Sequence, residues 1–84
     1  MNKERITAVL YLHNKKEQID IDIPLDITAN ELIVSLVNGF HLNIDISEPA
    51  KCYLKTENPI ALLRGNKLLS DYNLREGVVI HITD

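Results

Sequence analysis

Leu68-Leu69-Ser70-Asp71-Tyr72-Asn73-Leu74, followed closely by Val78-Val79-Ile80-His81-Ile82, is the stretch that decides the fold. A short polar turn lies between apolar flanks and feeds a β-branched run. Ser70, Asp71 and Asn73 are turn formers whose side chains can hydrogen-bond to nearby backbone. A tyrosine among them, Tyr72, can bury its ring and satisfy its hydroxyl on a backbone group. Gly77 allows a left-handed turn into the strand. The stretch predicts a structural corner, Ser70, Asp71, Tyr72 and Asn73, leading into a last strand.

Upstream, residues 6–12 are rich in Ile, Val, Leu and Tyr and predict a first strand. Ile6, Ala8, Leu10 and Leu12 share one face, and Thr7, Val9 and Tyr11 the other. The first set is assigned to the core, which leaves a partly apolar outer face. His13-Asn14-Lys15-Lys16 forms a turn. Ile19, Ile21 and Ile23 then alternate with Asp20 and Asp22, the period of a strand with one buried face. Pro24 stops it, because proline cannot donate to a ladder. Thr28 followed by Glu31 fits a capping box at a helix start. Leu32, Ile33, Leu36, Val37 and Phe40 recur at helical spacing, with Asn30, Glu31, Ser35, Asn38 and His41 on the other side. Gly39 leaves the helix end open, as either a late interior residue or one near the cap. Burying the five apolar side chains contributes on the order of 8–15 kcal/mol before chain entropy is subtracted.

Residues 42–49 read as a packed loop holding Ile44 and Ile46. Residues 51–56 predict a third strand, with Cys52, Leu54 and Thr56 facing one way and Lys51, Tyr53 and Lys55 the other. Asn58-Pro59 breaks it. Residues 60–63 form a short fourth strand, and Arg64-Gly65-Asn66-Lys67 a tight turn. The order is β-β-α-β-β, a corner, then β. That is the order of an α+β fold of the β-grasp type: a mixed sheet of four to five strands, one main helix across it, and the first and last strands parallel at its centre.

Composition narrows the function. The 84 residues predict a single domain, 1–84, with one compact core. A hydrophobic fraction of 45% excludes a disordered chain. Nine basic against twelve acidic residues give a formal net charge of -3, which argues against nucleic-acid binding. The longest apolar runs are far too short for a membrane span. Met1-Asn2-Lys3-Glu4-Arg5 leads straight into a strand pattern, so no signal peptide is expected. One cysteine, Cys52, leaves no internal disulfide and fits a reducing cytoplasm.

The Leu69-Ser70-Asp71-Tyr72-Asn73-Leu74 corner and its following strand resemble ubiquitin, and the β-grasp order extends the similarity over nearly the whole chain. Four features look closer still to the small bacterial YukD/EsaB family. These are the strand ending Ile23-Pro24, the helix ending near Phe40, the Lys55-Thr56 strand, and the corner Asp71-Tyr72-Asn73-Leu74-Arg75-Glu76-Gly77. Members of that family are ubiquitin-like proteins associated with type VII (WXG100) secretion in Gram-positive bacteria. The resemblance implies a cytoplasmic accessory or regulatory component that is not conjugated to other proteins. It implies no particular site residue.

Ubiquitin and the sulfur carriers of this fold act through a flexible C-terminal Gly-Gly. Here the chain reads Ile82-Thr83-Asp84, and its glycines are Gly39, Gly65 and Gly77. The expectation is a protein that is neither a covalent modifier nor a carrier; the alternative is a carrier or modifier whose Gly-Gly extension is missing. A third option is an adaptor of another pathway. His13, His41 and His81 show no metal-ligand spacing along the chain, so no metal is expected. Cys52 alternates with Leu54 and reads as a buried thiol. Ser70 has no G-x-S-x-G setting, Asp20 and Asp22 read as a solvated strand face, and no glycine-rich phosphate loop exists. No cofactor and no enzymatic activity are expected. The candidate protein-binding face is Lys51, Tyr53 and Lys55, a tyrosine flanked by cations. Its expected partner is a protein, including membrane-embedded parts of a secretion machinery, bound by a monomer or weak homodimer.

Overall fold

A computed structural model describes residues 4–48 and 51–83. Strands β1 (Arg5–Leu12) and β2 (Glu17–Pro24) pair antiparallel, with Leu10 opposite Ile19, Ala8 opposite Ile21 and Ile6 opposite Ile23. Side chains directly opposite lie on the same face, so the two apolar sets add into one surface. Ile6, Ala8, Leu10 and Leu12 are buried, which matches the phase assigned to the first strand. Val9 and Tyr11 on the other face are half-buried rather than bare.

Helix α1 (Ala29–Phe40) covers the apolar side. Both arms of its capping box form: the Glu31 N–H donates to Thr28 Oγ1 at 3.1 Å, and the Thr28 N–H donates to Glu31 Oε1 at 2.9 Å. Ala29, Leu32, Ile33 and Leu36 are buried, and Val37 and Phe40 pack partly against the same core. The left-handed cap is His41 (φ 55°), whose N–H returns to the Val37 carbonyl. His41 therefore lies beyond the helix rather than on its polar side. Gly39 stays inside the helix, because histidine is among the residues that tolerate this conformation.

Strands β3 (Leu54–Glu57), β4 (Ala61–Leu63) and β5 (Val78–Ile82) complete a five-stranded sheet of order β2-β1-β5-β3-β4. β1 and β5 run parallel at the centre, with Leu10 opposite Ile80. β5 pairs antiparallel with β3, with Thr56 opposite Ile80. This is the expected β-grasp arrangement. The third strand is shorter than its alternation suggests. Cys52, Leu54 and Thr56 are buried and Lys51, Tyr53 and Lys55 exposed, but the strand starts at Leu54. The residues before it are tied back to the preceding loop instead: the Lys51 N–H donates to the Glu48 carbonyl at 3.0 Å and the Cys52 thiol to the Asp45 carbonyl at 3.2 Å. The fourth strand likewise begins at Ala61, one residue late, because Ile60 belongs to the turn that contains the cis Asn58–Pro59 bond.

The corner holds by a different means from the one its side chains suggest. Leu69–Tyr72 is a 3-10 turn without a side-chain cap, and Asn73 follows at φ 56°. The Leu69 N–H donates to the Ile27 carbonyl at 2.9 Å and the Ser70 N–H to the Leu25 carbonyl at 3.0 Å. The neighbouring segment offers carbonyls that would otherwise need partners, so backbone pairing replaces the turn-internal bonds of Ser70 and Asp71. Tyr72 does what its position predicts. Its hydroxyl donates to the Arg64 carbonyl at 3.0 Å and accepts from the Arg64 N–H at 3.2 Å. The Lys67 ammonium lies 4.6 Å from the centre of its ring. Gly77 (φ 84°) turns the chain into β5 and donates its N–H to the Thr7 carbonyl at 2.8 Å. In the loop after α1, Leu42, Ile44 and Ile46 pack partly against the core. Pro49 of that loop, Met1-Asn2-Lys3 and Asp84 lie outside the described residues.

Candidate protein-binding face

One side of the sheet is filled by α1 and the core; the other carries the exposed alternates of each strand. Lys51, Tyr53 and Lys55 are brought together at one end of that outer side. With Asp45, Cys52 and His81 they line a shallow cleft of about 220 Å³. Tyr53 is 52% exposed, unusual for so large an aromatic ring. Lys51 has its ammonium 3.3 Å from the Glu48 carboxylate, an exposed pair that contributes little. Lys55 stands in β3 with His81 of β5 on one side and Leu62 of β4 on the other. Among the described residues its ammonium forms no ion pair.

Cys52 is buried and reduced beneath the cleft, held to the Asp45 carbonyl. Asp45 itself has its carboxyl kept below the usual carboxylate range by the Ser47 hydroxyl and then by the Ser47 N–H, which donates at 2.9 Å. Asp22 pairs with Arg5 at 2.7 Å on the outer side of β2. Ser70 and Asp71 are exposed on the corner and line no part of the cleft.

The fold also assembles a cluster that the spacing of histidines along the chain does not show. Tyr11 is the register partner of His81, so His13, two residues further on, comes beside it. His13 Nε2 lies 2.8 Å from His81 Nδ1 across 68 positions of sequence. His81 Nε2 donates to Glu57 Oε1 at 2.5 Å. The Tyr11 ring packs 4.3 Å from the His13 ring and 5.9 Å from that of His81. These contacts, made across the sheet, explain why Tyr11 is half-buried. Only the pairing of β1 with β5 could have exposed them. Apolar exposure is greatest at the β4 edge, where Ile60 is 89% and Leu62 42% exposed. Among the described residues no three His, Cys, Asp or Glu side chains converge to hold a metal ion. No helix of the described chain is long and apolar enough to cross a membrane.

Architecture of this kind defines a ubiquitin-like β-grasp protein, and solved structures of ubiquitin-like domains match it. A ubiquitin-like domain from tubulin-binding cofactor B superposes with a TM-score of 0.71 at 18% identity, covering 95% of this chain and 89% of that one. The C-terminal ubiquitin-like domain of mouse tubulin-specific chaperone e gives 0.68 at 13% identity, covering 100% and 92%. A designed protein based on ubiquitin gives 0.63 at 16% identity, covering 94% and 87%. At these identities the likeness is one of fold alone. Among curated proteins none matches in sequence. The model of the protein YukD of the WXG100 protein secretion system matches residues 5–82, and the chain belongs to that family.

Proposed function

We propose that this protein is a noncovalent, non-conjugating accessory component of a WXG100 secretion system, working on the cytoplasmic side of the membrane. The observation that carries the reading is the family match across nearly the whole chain. The open arrangement of the described residues supports a binding module over an enzyme. Its titratable side chains lie on an open sheet and in a shallow cleft, where water is not excluded and a reaction gains little from preorganised charge.

In this reading Lys51, Tyr53 and Lys55 dock a protein partner belonging to the secretion machinery, membrane-embedded components included. Tyr53 supplies a large, rigid contact at small entropic cost, and the two ammonium groups favour an acidic counterpart. The protein acts as a monomer or a weak homodimer.

Affinity capture from native lysate of the source cells, with intact mass recorded on all captured species, tests the reading. The expected result is recovery of secretion-system membrane components with this protein at its unmodified mass. Combined Lys51→Ala, Tyr53→Ala and Lys55→Ala substitution should abolish that recovery while the unfolding midpoint stays unchanged. Undiminished capture by the folded triple variant overturns the docking face. A ladder of covalent adducts overturns the non-conjugating assignment.

A further inference from the structure

We propose that the free edge of β2 takes up an extended segment of a partner protein, one that alternates lysine or arginine with apolar residues. This surface is separate from the face of Lys51, Tyr53 and Lys55, because β1 and β5 lie between β2 and β3 in the sheet. β2 is eight residues long and the outermost strand on its side. Which of its backbone groups point outward follows from the register. The Gly77 N–H donates to the Thr7 carbonyl and the His13 N–H to the Ile82 carbonyl, so the odd-numbered residues from 7 to 13 turn their backbone groups toward β5. The even-numbered ones, Ile6, Ala8, Leu10 and Leu12, therefore bond to their partners Ile23, Ile21, Ile19 and Glu17. What remains at the outer edge is the N–H and C=O of Gln18, Asp20 and Asp22, and among the described residues no backbone group pairs with them. The opposite edge of the sheet offers much less. β4 is three residues long, and the Tyr72 hydroxyl takes both backbone groups of Arg64 just beyond it.

Charge selects the occupant. Residues 17–24 carry three carboxylates and no cation. Asp20 forms no ion pair among the described residues, and Asp22 meets Arg5 in an exposed bridge. Gln18, Asp20 and Asp22 are exposed on the outer face, while Ile19 and Ile21 lie half-buried on the helix side. An added strand therefore sets cationic side chains opposite Asp20 and Asp22 and apolar ones beside Ile19 and Ile21, with main-chain bonds holding it to the edge. A second copy of this chain is a poor occupant. Antiparallel self-pairing along the whole strand, centred on Asp20 or Ile21, sets carboxylates directly opposite each other, which is destabilising. Pro24, which has no N–H to offer, ends the strip.

A capped hexapeptide of alternating lysine and valine, titrated into the isotope-labelled protein at low salt and followed by amide resonances and hydrogen exchange, tests this. The amides of Gln18, Asp20 and Asp22 are expected to shift and to gain exchange protection. Those of Ile19 and Ile21, already bonded to β1, should change little in exchange. The same peptide with glutamate in place of lysine should leave the edge amides as they were. Asp20→Lys, at an exposed position where folding is safe, should weaken binding of the lysine peptide about fivefold or more. Equal binding of the two peptides, unchanged affinity in the folded Asp20→Lys protein, or no protection at the three edge amides overturns the proposal.

Discussion

The two faces of the sheet are built from the same strands, residue by residue in alternation, yet they obey different rules. On the helix side Ala8, Leu10, Val78 and Ile80 are wholly excluded from water and have no polar atoms to satisfy. On the other side Tyr11, His13, His81 and Glu57 meet through ring contacts and hydrogen bonds at distances set by register, with Lys55 opposite His81. The first face tolerates little change of volume, because close-packed interiors lose contacts that nothing replaces. The second tolerates change of volume but not of register. One strand pairing thus serves stability on one side and chemistry on the other.

The sharpest way to break this contrast is a deletion on the helix side. Ile80→Ala removes methyl groups at the centre of the core and should cost about 2–5 kcal/mol in denaturant unfolding. The neighbouring substitution His81→Gln, on the other face of the same strand, should cost under about 1 kcal/mol. Equal losses at the two positions would mean that the faces are not energetically distinct. A middle case is Tyr72→Phe at the corner, which strips the hydroxyl from the Arg64 backbone without emptying the ring's site. It should cost about 0.5–1.5 kcal/mol by the same measurement.

The smallest effect belongs to Asp45, on the loop beside the cleft. Its folded carboxyl titrates below the ordinary value because the charged form is hydrogen-bonded to Ser47. Its contribution to stability is therefore complete above the unfolded carboxylate range and disappears as pH falls through the lower folded value. Asp45→Asn should flatten that part of the acid limb in a pH series of unfolding midpoints, with no change near neutrality beyond the lost bond itself. An unaltered acid limb would remove Asp45 from the groups that respond to acid.

Most of the helix side was legible in the sequence because its signals are local. Alternation gave the phase of β1 and β2, and Thr28 with Glu31 gave the start of α1. Tyr72 and Gly77 behave as their types require. The misreadings arise where a distant segment wins over a local preference. Ser70 and Asp71 are turn formers, but the carbonyls of Leu25 and Ile27 hold the corner by backbone. Lys51, Cys52 and Tyr53 alternate like a strand, yet the bonds to Asp45 and Glu48 hold them outside the ladder. His13 and His81 lie at opposite ends of the chain and meet only because β1 and β5 are parallel neighbours. For the proposed binding face, alternation gave the exposure of Lys51, Tyr53 and Lys55; the neighbours that shape the cleft came from the fold.

The position of β5 between β1 and β3 also governs how the molecule comes into being. During synthesis the hairpin and α1 emerge first, while β1 keeps an unpaired inner edge. The strand that fills that edge is made after every other strand, so the middle of the sheet cannot close until residue 82 is available. Until then β1 is open to any strand that meets it, including one from another nascent copy. Closure joins residues from opposite ends of the chain and is slow for that reason. Yield on expression should therefore respond more to the rate at which chains are completed than to the stability of the finished protein.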